Sequence, residues 1–147
     1  MSPQPLTSVT FFIDHSLGGK LIAGRLRDLG AQVEILADHF PTDTADVEWL
    51  NAVGEKGWIV LSKDGRIRRD TVERAALKFA GVRAFFLTQQ GLTGAEMAEI
   101  FANALPGMVS RAHSQPAPFI YTLSRGGEFS LVKENAGRGR KAKGGKR

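Results

Sequence analysis

Short runs rich in β-branched and aromatic residues alternate along this chain with stretches of helical periodicity, and that alternation restricts the fold more than any other feature. The runs are Val9–Ile13, Gln32–Leu36, Trp58–Leu61 and Arg83–Leu87. Strands alternating with helices read as βαβ units and therefore as a mainly parallel sheet covered on both faces. After the first run, Leu17, Leu21, Ile22, Leu26 and Leu29 fall on one helical face and Gly30 supplies a stop. A second helix is predicted over Asp46 to Lys56, ending near Gly57. Asp70 and Glu73 have the spacing of an N-cap and third position for a third helix reaching about Ala80. Thr93-Gly94-Ala95-Glu96 is a capping box, followed at helical spacing by Met97, Ile100, Phe101, Ala104 and Met108. Pro106 should break or restart that helix. Pro118–Leu123 and Glu128–Val132 flank Ser124-Arg125-Gly126-Gly127, a hairpin signal at the sheet edge. The expected fold is α/β, a three-layer α/β/α arrangement in strand order 2-1-3-4-5 with a C-terminal edge hairpin.

A chain of 147 residues is one domain by length, with residues 1–8 as an N-terminal extension, 9–134 as the folded body and 135–147 as a tail. The absence of cysteine excludes a disulfide framework and thiolate metal sites and fits a reducing cytoplasm. No apolar stretch reaches the roughly 18 to 20 residues a membrane span needs. The opening Met1-Ser2-Pro3-Gln4-Pro5 has neither the basic nor the apolar region of a secretory signal. A cytoplasmic protein with no membrane partner is expected.

The net charge of +5 is unevenly placed. Arg138, Arg140, Lys141, Lys143, Lys146 and Arg147 lie after Gly137 with no acid among them. Removing these six from the 20 basic residues leaves 14 against 15 acids, a body near −1. A Gly-rich basic tail cannot build a core and is expected to be disordered, serving either as a polyanion-binding arm or as a solubiliser.

The chemistry lies with the acids that close two of the strands. Val9–Ile13 ends on Asp14, and Trp58–Leu61 runs through Ser62 and Lys63 to Asp64. In the 2-1-3-4-5 order the first and third strands are neighbours and the ligand crevice opens at their carboxyl ends. Two carboxylates brought together there repel unless a cation joins them, and oxygen donors suit Mg²⁺ or Mn²⁺. Metal-assisted phosphodiester hydrolysis is the natural chemistry of such a site. Asp43, Asp46 and Glu48 open the second helix and would supply a third carboxylate, with Asp46 preferred. Asp43 and Asp46 also have the spacing of a helix cap, and taken alone either reads better as a cap than as a ligand. Lys63, Arg66, Arg68 and Arg69 surround Asp64, and Lys20 lies near the first helix, a cationic set suited to phosphate or to ordinary solvated surface. Ser16 and Ser62 lack a histidine at triad spacing and are not read as nucleophiles. His39 and His113 have no assigned role, and Trp49 reads as helix packing.

In order and spacing, Phe12-Ile13-Asp14, Leu17-Gly18, Leu26-Arg27…Gly30, Asp46-Val47-Glu48-Trp49-Leu50 and Trp58 through Asp64 together resemble PIN-like nuclease domains. The similarity is to the branch that includes VapC-type toxins and Mut7-C proteins, and it covers roughly Val9 to Val132. The resemblance implies a Mg²⁺- or Mn²⁺-dependent ribonuclease with Asp14, Asp46 and Asp64 as metal ligands and catalytic acids and Glu48 as a further candidate. Glu73 could hold a metal-bound water, or merely complete the cap with Asp70. His15, directly after Asp14, departs from the family pattern and reads as structural. The same resemblance implies a toxin paired with an antitoxin, RNA as substrate and a homodimer as an option. RNA and DNA are not separated by any residue. Two alternatives stand beside it. A receiver-like signalling module shares the strand order but should carry paired acids after strand one and a lysine after strand five, where this chain has Asp14-His15 and Ser124-Arg125. A catalytically degenerate PIN-like binding domain is the other.

Overall fold

In the computed structural model, residues 5–18, 20–65 and 69–133 are described. Six strands form one sheet: β1 (Thr10–Ile13), β2 (Gln32–Ile35), β3 (Ile59–Ser62), β4 (Arg83–Leu87), β5 (Phe119–Leu123) and β6 (Phe129–Leu131). Their order is β2-β1-β3-β4-β5-β6, parallel throughout except for the antiparallel β5–β6 pair. Helices cover both of its faces, among them α1 (Leu21–Asp28), α2 (Asp46–Lys56), α3 (Thr71–Phe79) and α4 (Gly94–Ser114). This is the expected three-layer α/β/α arrangement with an edge hairpin.

The strand alternation sorts the core into two layers. Phe11, Ile13, Ile59, Leu61, Phe85, Leu87, Phe119 and Tyr121 face α1 and α4, where they pack with Ile22, Leu26, Phe101 and Met108. Phe12, Val60, Ala84, Phe86 and Ile120 face the other way, onto Trp49, Leu50 and Val53 of α2 and Leu77 of α3. A sheet covered on both faces needs apolar residues at consecutive positions, which is why these strands read as unbroken runs. β1 pairs with β2 and β3, with Ile13 opposite Ile35 on one side and Leu61 on the other. The carboxyl ends of β1 and β3 therefore finish level, side by side.

Local signals set most helix ends. Gly57 takes a left-handed conformation at φ 71° and closes α2, and Gly30, at φ 97°, follows the end of α1. Thr93 Oγ1 accepts from Glu96 N at 3.1 Å while Glu96 Oε1 accepts from Thr93 N at 2.9 Å, so the expected capping box opens α4. Three expectations need correction. Pro106 lies inside α4 without ending it. It sits on the solvent side, where a missing N–H costs least, while Phe101, Leu105, Met108 and Val109 anchor the helix on both flanks of it. Leu17 belongs to a 3₁₀ turn (His15–Leu17) that precedes α1 rather than to the helix. Leu21 and Leu29 are 57% and 40% exposed, so the buried face of α1 is Ile22, Ala23 and Leu26. The extension is partly docked: Leu6 packs against the core and Ser8 Oγ lies 2.7 Å from His113 Nε2 on α4. The tail 135–147 falls outside the described residues.

Candidate active site

β1 delivers Asp14 to the carboxyl edge of the sheet, where its amide donates to Leu61 O of β3 at 3.3 Å. Its side chain is buried, 4% exposed, at the start of the His15–Leu17 turn. Asp14 Oδ1 accepts from Ser16 N at 3.0 Å and from Ser16 Oγ at 2.5 Å. Asp14 Oδ2 accepts from Ser62 Oγ at 2.6 Å. The orientation of this network follows from its amides. Lys63 N donates to Ser16 Oγ and Asp64 N to Ser62 Oγ, each at 2.9 Å, and an amide can only donate. Each serine thus receives a hydrogen from the β3 exit and passes its own to Asp14. The carboxylate is the acceptor that this arrangement serves, and it is the ionised form that can accept from every side.

Burial works against that ionised form. It pushes the Asp14 carboxyl up to about 6, against the pull of the Ser16 and Ser62 hydrogen bonds, and the charge of nearby Asp64 adds to the push. Asp14 is thereby a desolvated negative charge at neutral pH with hydroxyl donors but with no arginine or lysine on its oxygens among the described residues.

Asp14 opens into a cleft of about 430 Å³ that is also lined by Asp43, Asp46, Asp64 and Glu73, with His15, Ser16, Thr42 and Thr44 among its walls. No lysine or arginine lines it among the described residues. A second cleft, of about 500 Å³, adjoins it and shares Ser16 and Asp64; Lys63, Gly65 and Arg69 line this one. The sequence-derived candidates divide accordingly. Asp14, Asp46 and Asp64 share the acidic cleft, while Glu48, on the exposed side of α2, is not among its lining residues. Lys63 and Arg69 border the second cleft; Lys20, exposed at the start of α1, lines neither. Arg66 and Arg68 lie outside the described residues.

The capping alternatives separate as well. α2 is capped by Ala45 with no side-chain hydrogen bond, so Asp43 and Asp46 are not an N-cap pair. Asp46 instead accepts from the Trp49 indole at 2.9 Å, one turn along, which fixes the tryptophan as packing. Asp70 does cap α3, accepting from Val72 N at 2.9 Å and Glu73 N at 3.2 Å, yet Glu73 still reaches the acidic cleft. What sequence reasoning missed are Ser16 and Ser62. The signal was present: an Asp-x-Ser step is an Asx turn, and a serine closing an otherwise apolar run is buried and needs a partner.

The donor set suits a hard divalent cation, since it consists of carboxylate oxygens with a buried member whose burden of charge no cationic side chain in the cleft offsets among the described residues. As placed, no three histidine or acidic side chains among the described residues converge on one point.

A parallel α/β sheet whose first and third strands end in adjoining acids at the switch point defines a class of acid-cleft proteins, and comparison with known proteins gives that class its family. A family model described as "PIN like domain" matches residues 9–89, from the start of β1 past the end of β4, and the chain belongs to that family. It is 33% identical over 116 residues to a Mycobacterium tuberculosis protein named "Putative ribonuclease VapC45", an alignment covering 76% of this chain and 83% of that one. No solved structure matches. Family membership sets aside the receiver-like alternative.

Proposed function

We propose that this chain is a divalent-metal-dependent endoribonuclease, the toxin of a type II toxin–antitoxin pair. The observation that carries the reading is the buried, serine-held Asp14 opening beside Asp64, Asp46 and Glu73 into one cleft. The relative's name and the PIN-like family support ribonuclease chemistry. Asp14, Asp46 and Asp64 would hold Mg²⁺ or Mn²⁺; Asp43 and Glu73 border the same space. When bound, the cation supplies Lewis acidity at a phosphodiester and favours ionisation of water.

The chain's own residues supply the rest. Ser16 and Ser62 hold Asp14 in a single orientation through Oδ1 and Oδ2. Lys63 and Arg69 line the adjoining cleft, where a flanking phosphate of the RNA would enter. An antitoxin is the expected protein partner, and a homodimer is compatible with this class of site. No helix among the described residues is long and apolar enough to cross a membrane, and we place the activity in the cytoplasm with its substrate.

The test is cleavage of single-stranded RNA under titration with Mn²⁺ and Mg²⁺. Activity should depend on added metal and be lost in Asp14→Asn and Asp64→Asn, with folding checked by circular dichroism. Equal cleavage by wild type and both variants would assign the activity to a contaminant and defeat the proposal.

A further inference from the structure

The second cleft is built differently from the first. Its walls are the exit of β3, with Lys63, Asp64 and Gly65, and the exit of β4, with Thr88 and Gln90, over a floor that includes buried Phe86. At about 500 Å³ it falls within the range of roughly 300–1,000 Å³ typical of small-ligand sites. The shared Ser16 and Asp64 make the two clefts neighbouring compartments of one groove. One compartment holds five carboxylates, and the other brings two cations beside a neutral amide and a hydroxyl.

That division of chemistry matches the division within a nucleotide. Contacts of cations to phosphate carry no sequence information, whereas an amide presents a donor and an acceptor together and can read a base edge. Gln90 is exposed, and its Nε2 meets the Lys63 carbonyl only at 3.4 Å, a long hydrogen bond that a base edge could replace. Single-stranded RNA is recognised largely through splayed bases that are hydrogen-bonded on their edges.

We infer that the cleft between the β3 and β4 exits is a nucleotide subsite: it takes the unpaired ribonucleotide flanking the scissile phosphate, with Gln90 and Thr88 reading its base and Lys63 and Arg69 holding its phosphate. The inference rests on the ribonuclease reading and names where sequence preference arises within it. It places that preference on the loop after β4, away from the acids.

The experiment uses the full chain and a pool of single-stranded RNA oligonucleotides randomised over a short window, cut in the presence of Mn²⁺, with cleavage positions read by sequencing. Wild type should favour one base, or one pair of bases, at a position next to the cut. In Gln90→Ala that preference should flatten by about 10-fold at that one position, the order expected when a base-edge hydrogen bond is removed. Gln90→Glu, which trades the amide donor for an acceptor, should shift the preference toward bases offering an amino group, a change that mere loosening of the loop would not produce. Identical profiles in wild type and both variants, or no preference in wild type at any position, would overturn the subsite. Absence of any metal-dependent cleavage by wild type would instead overturn the ribonuclease reading, and the subsite would fall with it.

Discussion

Ser62, the last residue of β3, donates its hydroxyl hydrogen to Asp14 Oδ2 at 2.6 Å and so joins the ends of two adjacent strands through a buried pair. The parallel register that sets Ile13 against Leu61 brings the two residues level. Because Ser62 Oγ also receives the amide of Asp64, one hydroxyl links both strand-end acids.

Ser62→Ala should therefore act on chemistry as well as stability. Removing the hydroxyl leaves Asp14 short of one donor and the Asp64 amide short of its acceptor, at a cost of about 1–3 kcal/mol. The Asp14 carboxyl should rise further, because a hydrogen bond that lowers it is gone. The acidic limb of the cleavage rate against pH should move upward, with kcat falling by on the order of 10-fold. An unshifted limb in a folded variant would show that Ser62 has no hold on Asp14.

Stability in a chelator should fall as pH rises toward neutrality. Asp14 holds its proton more tightly in the folded chain, at about 6, than unfolded, at about 3.8, so folding is favoured while the group is protonated. That advantage is lost progressively as pH rises between about 4 and 6 and is gone above; the shift corresponds to about 3 kcal/mol. Asp14→Asn should lack the decline, and the difference between the two denaturation series isolates the group. Added Mn²⁺ should raise the melting temperature of wild type more near neutral pH than in mild acid, because proton and metal compete for the same carboxylate. Parallel curves for wild type and Asp14→Asn would refute the assignment.

Gly54→Val should loosen the α2–α3 layer. A Cβ at Gly54 would run into the carbonyl of Ala80, backbone that cannot rotate away, so the helices must separate. A loss of roughly 1–3 kcal/mol is expected in chemical denaturation, the usual cost of overpacking. Unchanged stability would mean that α3 shifts freely.

Truncation at Gly137 should weaken RNA binding chiefly at low salt. The six basic residues removed would neutralise phosphates without reading sequence, and the slope of log K against log salt should fall by roughly 0.7 for each phosphate no longer neutralised. Metal-dependent melting should be unaffected. An unchanged affinity would make the segment a solubiliser.

Individual elements show how much was legible beforehand. The span Asp46–Lys56, ending at Gly57, was legible because a helix and its glycine stop are local patterns. The capping role offered for Asp43 failed for the converse reason. Spacing permits a cap, but the chain enters α2 from an extended Ala45 and leaves Asp43 facing the cleft. Helical spacing already favoured Asp46 over Glu48, since residues two apart point in different directions, and Glu48 does lie outside the cleft that Asp46 lines. Pro106 carried a correct local penalty, which packing on both flanks of α4 overrode.

The sequence by itself determined the layered architecture and which strands end in acids, since periodicity, glycine stops and β-rich runs act over a few residues and are written in the chain. Only the tertiary structure decided that Ser16 and Ser62 both serve Asp14, that Asp43 and Glu73 share its cleft while Glu48 does not, and that a second, cationic compartment adjoins it. Those relationships join segments far apart in the chain, and register and burial, which no local pattern encodes, bring them together.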